Sequence, residues 1–440
     1  MRQIREAGMK LTLEKPVYGG DCLARAAASE VKSGESKSGK TIFVPLTLPG
    51  ETVTARIVEE KRGYAKAEAE EILTVSPNRV TPLCPYFGAC GGCSYQHTGY
   101  ATQLELKQQI LRDTLTRAKV QIPAETAVLA AEPWAYRNRI RLALLPDGSF
   151  GYRARRSHDL VAIDECPIAA PILIQTAQQI SGFLANDPRP TPISEIELFT
   201  NHDEGQLLVT LFSEKAKDAQ PWLNELFRAL MPQATGLRLQ LADGSFNPQV
   251  LAGCGQTSMT YLAASYPYRV DHGAFFQVNR RLIDSFVSLV TAGHTGKLAW
   301  DLFAGVGLFA RQLAAGFEEV VAVESAPASF AALEQNLAGT SGRAVASTTF
   351  DFLCHNRQQR EARPDLIVLD PPRAGLGEET TSLLNAIHAP QMVYVSCDPA
   401  TLARDLHALT EERYSIEKIT LADMFPQTFH LETVVHLRRR

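Results

Sequence analysis

No apolar run in this 440-residue chain approaches the ~20 residues that a membrane-spanning helix needs. The opening MRQIREAGMK carries charge with no apolar stretch behind it, so it does not read as a secretory signal. Internal repeats are missing, and so is any low-complexity tract beyond one Ser/Gly/Lys-rich loop. There is no excess of basic charge either: 44 Lys and Arg stand against 48 Asp and Glu, for a net charge of −4. Many nucleic-acid-binding proteins are basic, but a phosphate responds to the local field of a groove, so the total does not exclude such a partner. What remains is a cytosolic globular protein, too long for one core and expected to hold two or three domains.

Three segments follow from the patterning. From about Met9 to Asn78, alternating runs such as ETVTARIV, with Val53, Ala55 and Ile57 on one side, read as strands. Gly19-Gly20, Pro49-Gly50 and Gly63 separate them, and SEVKSGESKSGK over 29–40 reads as a flexible loop. Several short strands in so few residues predict a small five-stranded β-barrel within residues 1–78, an architecture that often binds oligonucleotides. Residues 79–269 read as a mixed α+β domain. YATQLELKQQILRDTLTRA has apolar residues at helical spacing, while RIRLALLP and QLLVTLFS read as strands. The helix near 101–118 is expected to pack on the C-terminal domain. Residues 270–440 alternate strands and helices, the strands being KLAWDLFA, EVVAVES, AVASTTFDF, DLIVLDPP and QMVYVSCDP. That alternation predicts an α/β, Rossmann-like domain with a parallel sheet covered on both faces and ligands at the carboxyl ends of its strands.

Basic residues do cluster, at Arg137, Arg139 and Arg141 and again at Arg153, Arg155 and Arg156, but a solvated strand face explains them equally well. The eight cysteines say more. Without export, disulfides are not expected, and a tight group points to metal or catalysis. Cys84, Cys90 and Cys93 are spaced C-x5-C-x2-C, with Gly88, Gly91 and Gly92 letting the backbone wrap closely. Cys166, followed by Pro167, is the best fourth ligand for a closed site. On chemistry alone, zinc and an iron–sulfur cluster both suit four thiolates.

The C-terminal domain carries a ligand pocket in its loops. DLFAGVGLFARQLA sets Phe303, Gly305 and Gly307 at a strand-to-helix turn that a ligand can approach closely. Glu324 ends the next strand, where a carboxylate can accept both ribose hydroxyls. Asp351 is expected to end the third strand and to meet an adenine amino group. Each acid alone could be a solvated strand end; in register with the glycine turn they point to an adenosine-bearing cofactor. Asp370 opens the stiff DPPR turn beside this pocket, where its carboxylate is expected to approach the cofactor's reactive end or the substrate base. Gln277 in HGAFFQVN offers a donor and an acceptor, matching a uracil edge or the cofactor.

Cys397 closes the fifth strand, just before a helix capped by Asp398 and begun by Pro399. A thiol beside a helix N-terminus can have its pKa lowered, although a buried strand-end cysteine explains the position as readily. Glu432 opens the final strand in HLETVV.

These motifs resemble, in order along essentially the whole chain, the bacterial ribosomal RNA uracil-C5 methyltransferases. LTLEKPVYGG with FVP, LPGE and KRGYA resembles a TRAM domain, a small RNA-binding barrel. SCDP and the terminal H-x-E-T-V resemble the family's hallmark motifs. The resemblance implies S-adenosyl-L-methionine as methyl donor, contacted by Gln277, and a [4Fe–4S] cluster on Cys84, Cys90, Cys93 and Cys166. It also implies Cys397 as nucleophile and Glu432 as proton acceptor, acting on RNA as a monomer without a membrane. Leu308 departs from it, standing where relatives often have a polar residue.

The implied product is 5-methyluridine, in 23S ribosomal RNA by preference or in a transfer RNA T-loop. A cytosine-C5 enzyme is disfavoured because DPPRA lacks a cysteine after its prolines, and an adenine N-methyltransferase because Arg373 stands where an aromatic residue is wanted. A radical enzyme would have three residues between its first two cysteines. Outside the enzymes, the remaining reading is an RNA-binding iron–sulfur protein without catalysis.

Overall fold

The structure is a computed structural model and describes residues 8–26, 39–187, 193–214, 219–242, 244, 249–357 and 363–440. Most of the 29–40 loop expected from the sequence lies outside the described residues. The chain divides into two compact units, Met1–Asp113 with Phe425–His430, and Thr114–Met424 with Leu431–Arg440.

In the first unit, strands β1 (Met9–Pro16), β2 (Asp21–Arg25), β3 (Thr41–Pro45), β4 (Thr52–Glu60) and β5 (Tyr64–Thr74) close into a barrel in the order β1-β2-β3-β5-β4. Alternation sends Leu11, Leu13, Cys22, Ala24, Ile42, Val44, Val53, Ala55, Ala65 and Ala67 inward to fill it. Closure leaves no strand edge unpaired. Glu51 of the LPGE motif has a structural post: it is buried and takes the Arg79 guanidinium at 2.6 and 2.7 Å and the Leu48 N–H at 2.8 Å. After the barrel come the turns that carry Cys84, Cys90 and Cys93, and then helix α1 (Tyr100–Arg117). Segment 425–430 is tied in by the Ser94 and Tyr95 N–H groups, which donate to the Gln427 carbonyl at 2.9 and 3.0 Å.

The second unit holds the short strand β6 (Ala127–Leu129) and then β7 (Arg139–Leu144), β8 (Phe150–Arg153), β9 (Leu160–Ala162), α2 (Pro171–Ala185), β10 (Glu195–Thr200), β11 (Leu207–Ser213), α3 (Gln220–Leu230), β12 (Ala234–Leu241) and β13 (Val250–Gly255). Strands β7 to β13 make a seven-stranded sheet in the order β13-β12-β11-β10-β7-β8-β9. Leu173 and Ile180 of α2 and Leu223 and Leu226 of α3 pack on Ile196, Leu198, Val209 and Leu211 to form its core. The basic run of β7 is partly absorbed here: the Arg139 guanidinium lies 3.9 Å over Phe199 and that of Arg141 lies 3.9 Å over Phe212.

A hairpin of β14 (Ser258–Ala263) and β15 (Tyr266–Asp271) leads on to α4 (Ile283–Thr291), β16 (Gly296–Leu302), α5 (Leu308–Leu313), β17 (Phe317–Glu324), α6 (Pro327–Leu337), β18 (Gly342–Ala346), α7 (Thr349–Asn356), β19 (Leu366–Leu369), α8 (Gly377–Ile387), β20 (Gln391–Ser396), α9 (Pro399–Glu412), β21 (Tyr414–Ala422) and β22 (Glu432–Arg439). The second sheet runs β18-β17-β16-β19-β20-β22-β21-β6. Its central strands are apolar on both faces, LIVL of β19 being buried at every position, as helix-covered parallel strands must be. The sheet differs from the expected all-parallel one: β22 runs antiparallel to both β20 and β21. It is reached from β21 by a connection of nine residues without a helix, and that connection allows an antiparallel neighbour. Strand β6, only three residues long and without readable periodicity, adds an eighth member from within the stretch assigned to the central domain.

Candidate active site

The sheet register assembles the site. Parallel pairing sets Asp301 of β16 beside Val368 of β19, and Val368 beside Val393 of β20, so the loops after all three strands emerge at one edge. Antiparallel pairing of Ser396 with Thr433 then brings the start of β22 to the same edge. Cys397 follows Ser396 and Glu432 precedes Thr433, so thiol and carboxylate occupy the next opposed positions. Asp398 caps α9 as expected, accepting the Ala400 and Thr401 N–H groups at 2.9 and 3.0 Å.

Gln277 reaches this cluster from the segment after β15, with its amide Nε2 3.5 Å from Asp370 Oδ2. Its position is fixed from behind. Fully buried Asn138 donates through Nδ2 to the Gln277 carbonyl at 2.9 Å, and its N–H donates to the Val278 carbonyl at 3.0 Å. Asn279, also fully buried, donates to the Asp423 and Met424 carbonyls at 3.4 and 3.3 Å. Phe275, by contrast, is 62% exposed.

The electrostatics are those of a crowded anionic pocket. Glu432, only 4% exposed, has its pKa raised well above the usual carboxylate range by burial and then by Asp370, with Arg373 opposing. Burial raises Asp370 as well. The Cys397 thiol is pushed up to about 11 by burial, then by Glu432 and Asp370, and Arg373 again works the other way. Of the two readings the sequence left open at this position, the raised thiol matches the desolvated strand-end cysteine. The helix N-terminus favours the thiolate, but loss of hydration and two carboxylates outweigh it.

The turn after β16 keeps its expected form. Phe303, Gly305 and Gly307 have φ of 65°, 56° and 86°. A Cβ placed on Gly305 would meet nothing within 4 Å, so the turn borders open space that a ligand can fill. Glu324 Oε2 accepts the Gly305 N–H at 2.8 Å, while Oε1 accepts the Ser325 and Ala326 N–H groups at 2.7 and 2.6 Å. Asp301, fully buried, uses Oδ2 for the Ala310 N–H at 2.8 Å and has no partner for Oδ1 among the described residues. Burial raises its pKa to about 8. The orphaned oxygen and the open cradle fit an adenosine-bearing donor at this turn. Leu308 begins α5, buried, with its carbonyl accepting the Tyr268 hydroxyl at 3.0 Å.

Asp351 is not where the sequence reading put it. Strand β18 ends at Ala346, and Asp351 sits exposed in the first turn of α7. There Thr348 Oγ1 donates to its carboxylate at 2.6 Å and accepts its N–H at 3.1 Å, an N-cap that ends the strand early. The structure thus gathers Cys397, Glu432, Asp370 and Gln277 in one cluster and Phe303, Gly305 and Glu324 at one turn. Sequence reasoning gave no role to Arg373, the cation facing both Cys397 and Glu432; its signal was its place directly after the two prolines.

The cysteine loop lies in the first unit and Cys166 in the second. Within the loop, Gly92 N–H points at Cys90 Sγ at 3.4 Å, and the Cys84 thiol is close enough to Cys90 to raise its pKa further, after burial. Among the described residues no three His, Cys, Asp or Glu side chains converge as a metal-holding group. No helix among those residues is long and apolar enough to cross a membrane.

The fold is that of the S-adenosyl-L-methionine-dependent methyltransferases. It superposes with a TM-score of 0.75, over 98% of this chain and all of the other at 23% identity, on the crystal structure of Pyrococcus abyssi tRNA (uracil-54, C5)-methyltransferase in complex with S-adenosyl-L-homocysteine. A TRAM domain matches residues 9–69, and the tRNA (Uracil-5-)-methyltransferase family matches residues 357–440. A Halomonas elongata protein named 23S rRNA (uracil(1939)-C(5))-methyltransferase RlmD is 31% identical, over 98% of this chain and 91% of its own length. A Shewanella amazonensis protein of the same name is 33% identical over 90% of each. The chain belongs to the S-adenosyl-L-methionine-dependent RNA uracil-C5 methyltransferases.

Proposed function

We propose that this enzyme converts one uridine of structured RNA, in the large-subunit ribosomal RNA, to 5-methyluridine through a covalent adduct on Cys397. The observation that carries the reading is the opposition of Cys397 and Glu432 at the ligand-facing edge of the sheet, flanked by Asp370 and Gln277. Uracil C5 is too weak a nucleophile to take a methyl group directly. Addition of the Cys397 thiolate to C6 pushes the ring electrons onto C5 and O4 and makes C5 an enolate carbon. When bound, the methyl donor would supply an electrophilic carbon on a sulfonium, which C5 takes as the C–S bonding pair returns to sulfur. Glu432 then removes the C5 proton, the C5–C6 double bond re-forms and the C6–S bond breaks, returning the thiolate. Gln277 and Asp370 orient the ring and stabilise its developing charge. Because Cys397 begins with a raised pKa, populating its thiolate calls for nearby positive charge; Arg373 is one source within the chain. Phe303, Gly305, Glu324 and Gln277 hold the donor, with Asp351 reaching the adenine from the first turn of α7. The enzyme acts as a monomer in this reading.

The ribosomal substrate is favoured by the names of the relatives that match nearly the whole chain. A transfer RNA uridine is the second reading, favoured by the family matched at residues 357–440. The target base must leave its stack to be approached from both faces. The TRAM barrel supplies a platform for surrounding RNA. Cys84, Cys90, Cys93 and Cys166 would hold a [4Fe–4S] cluster; a thiol-rich turn with an amide N–H aimed at sulfur suits its chemistry. Its place is structural or RNA-contacting, in a cytoplasmic enzyme. Methyl transfer to unmodified ribosomal and transfer RNA, followed by mapping of the modified base, tests the reading. Methylation confined to transfer RNA would reverse the substrate order, and a label on cytidine or adenosine would end the proposal.

A further inference from the structure

Helix α9, which begins two residues after Cys397, also grips the loop that carries Asp370 and Arg373. Three side chains on one face of the helix, at positions i, i+3 and i+4, reach four backbone groups of that loop. Thr401 Oγ1 donates to the Arg373 carbonyl at 3.1 Å. Arg404 Nη2 donates to the Ala374 carbonyl at 2.9 Å. Asp405, 1% exposed, accepts the Leu376 N–H at 2.7 Å and the Gly377 N–H at 3.4 Å. The same carboxylate is held by the Tyr394 hydroxyl at 2.8 Å, from inside β20, and by Arg404 Nε at 2.8 Å. Gly375 completes the fit. Its φ is +72°, and a Cβ there would stand 2.5 Å from Asp405 Oδ2 and 2.7 Å from Arg404 Nη2, so only glycine lets the loop lie this close.

A buried carboxylate taking a hydroxyl, two amides and a guanidinium is a costly arrangement to keep for loop packing alone. The loop is already stiffened by Pro371 and Pro372 and closed by the Gly375 N–H to the Pro372 carbonyl at 2.8 Å. We infer that Asp405 and Arg404 are positioning residues: they lock the Arg373 loop to the helix that follows the nucleophile, and so set the separation of Cys397 from the Arg373 cation and from Asp370. The inference rests on the proposed role of Cys397. Releasing the clamp lets Arg373 drift, and the thiolate loses the neighbour that favours it. Misplacement on the scale of an ångström costs on the order of 10²-fold in rate.

The test compares the wild-type enzyme with Asp405→Asn, Arg404→Gln and Asp405→Glu. Arg404 is half exposed, so Arg404→Gln reports on the clamp without removing a buried group. Measured are binding of S-adenosyl-L-homocysteine, single-turnover methyl transfer against pH, and yield of covalent adduct with large-subunit ribosomal RNA transcripts in which 5-fluorouridine replaces uridine. The expected result is unchanged S-adenosyl-L-homocysteine affinity, a rate lowered by on the order of 10²-fold for Asp405→Asn, a rate–pH curve displaced upward for both Asp405→Asn and Arg404→Gln, and partial recovery in Asp405→Glu. A wild-type rate–pH curve in Arg404→Gln and in folded Asp405→Asn would overturn the inference, even if thermal stability fell. Failure of the underlying reading looks different: the wild-type enzyme itself would then form no adduct.

Discussion

Cys397 and Glu432 occupy opposed positions one step beyond the Ser396–Thr433 pair, at the open end of the β20–β22 ladder. An antiparallel final strand is what makes this possible. Had β22 run parallel to its neighbour, its first residue would lie at the far edge of the sheet, away from the loops that bind ligand. The same pairing places a buried acid next to a half-buried thiol, and each then resists ionisation.

Two substitutions separate the steps assigned to this pair. Cys397→Ala is expected to abolish both 5-methyluridine formation and the covalent RNA adduct while leaving donor binding intact. Glu432→Gln is expected to add and methylate but not to release, so that denaturing gels show the adduct accumulating. Prompt clearance of the adduct in Glu432→Gln would remove the proton-acceptor role.

The raised thiol pKa predicts a pH response in the free enzyme. Alkylation of Cys397 by iodoacetamide, followed by peptide mass spectrometry, should be slow at neutral pH and climb about tenfold per pH unit until the thiol ionises at about 11. The Asp370 carboxylate raises the thiol, so Asp370→Asn should lower the thiol pKa and speed labelling. Unchanged or slower labelling in Asp370→Asn would show that the carboxylate does not govern the thiol.

Glu432 also predicts a stability trend. A carboxyl whose folded pKa is raised binds its proton more tightly folded than unfolded, so the native state loses stability as pH rises above the ordinary carboxylate range. Glu432→Gln, which cannot ionise, should therefore melt higher than the wild type at pH 8 and much closer to it at pH 4. Equal melting temperatures at pH 8 would mean the carboxyl is not desolvated.

Much of this was legible because it repeats a local rule. Alternation in ETVTARIV gave the barrel strands, and unbroken apolar runs gave β16, β17, β19 and β20. Chain reversal at Gly305 announced itself as glycine. What stayed hidden depended on distant partners. The end of β18 could not be read from AVASTTFDF, because the Thr348–Asp351 cap competes with the strand for the same residues. The direction of the Cys397 shift needed Glu432 and Asp370 in place around it, 35 and 27 residues away in sequence. β6 needed its partner β21, without which AVL carries no signal.

The glycines at the donor turn make a paired prediction. Gly305→Ala should strain a left-handed residue by ~1–2 kcal/mol and fill the open cradle, weakening S-adenosyl-L-homocysteine binding in calorimetry more than it lowers thermal stability. Gly307→Ala should do the reverse, since its Cβ would stand 2.7 Å from Leu333 Cδ1 inside the fold. Equal effects of both substitutions on binding would contradict the assignment of Gly305 to the donor.

For the cysteine set, protein purified without oxygen should contain iron and acid-labile sulfide in near-equal amounts, with broad visible absorbance. Cys166→Ala should lose both. Stoichiometric zinc with no sulfide would replace the cluster with a structural zinc site.

The most direct measurement is to incubate the enzyme and S-adenosyl-L-methionine with 5-fluorouridine-substituted ribosomal RNA, digest the complex, and sequence the peptide that stays attached to nucleotide. Fluorine at C5 cannot leave as a proton, so the adduct should persist, with a single pyrimidine bound through C6 to the sulfur of Cys397. Attachment to another cysteine such as Cys354, or methylated product with no trapped peptide, would contradict it.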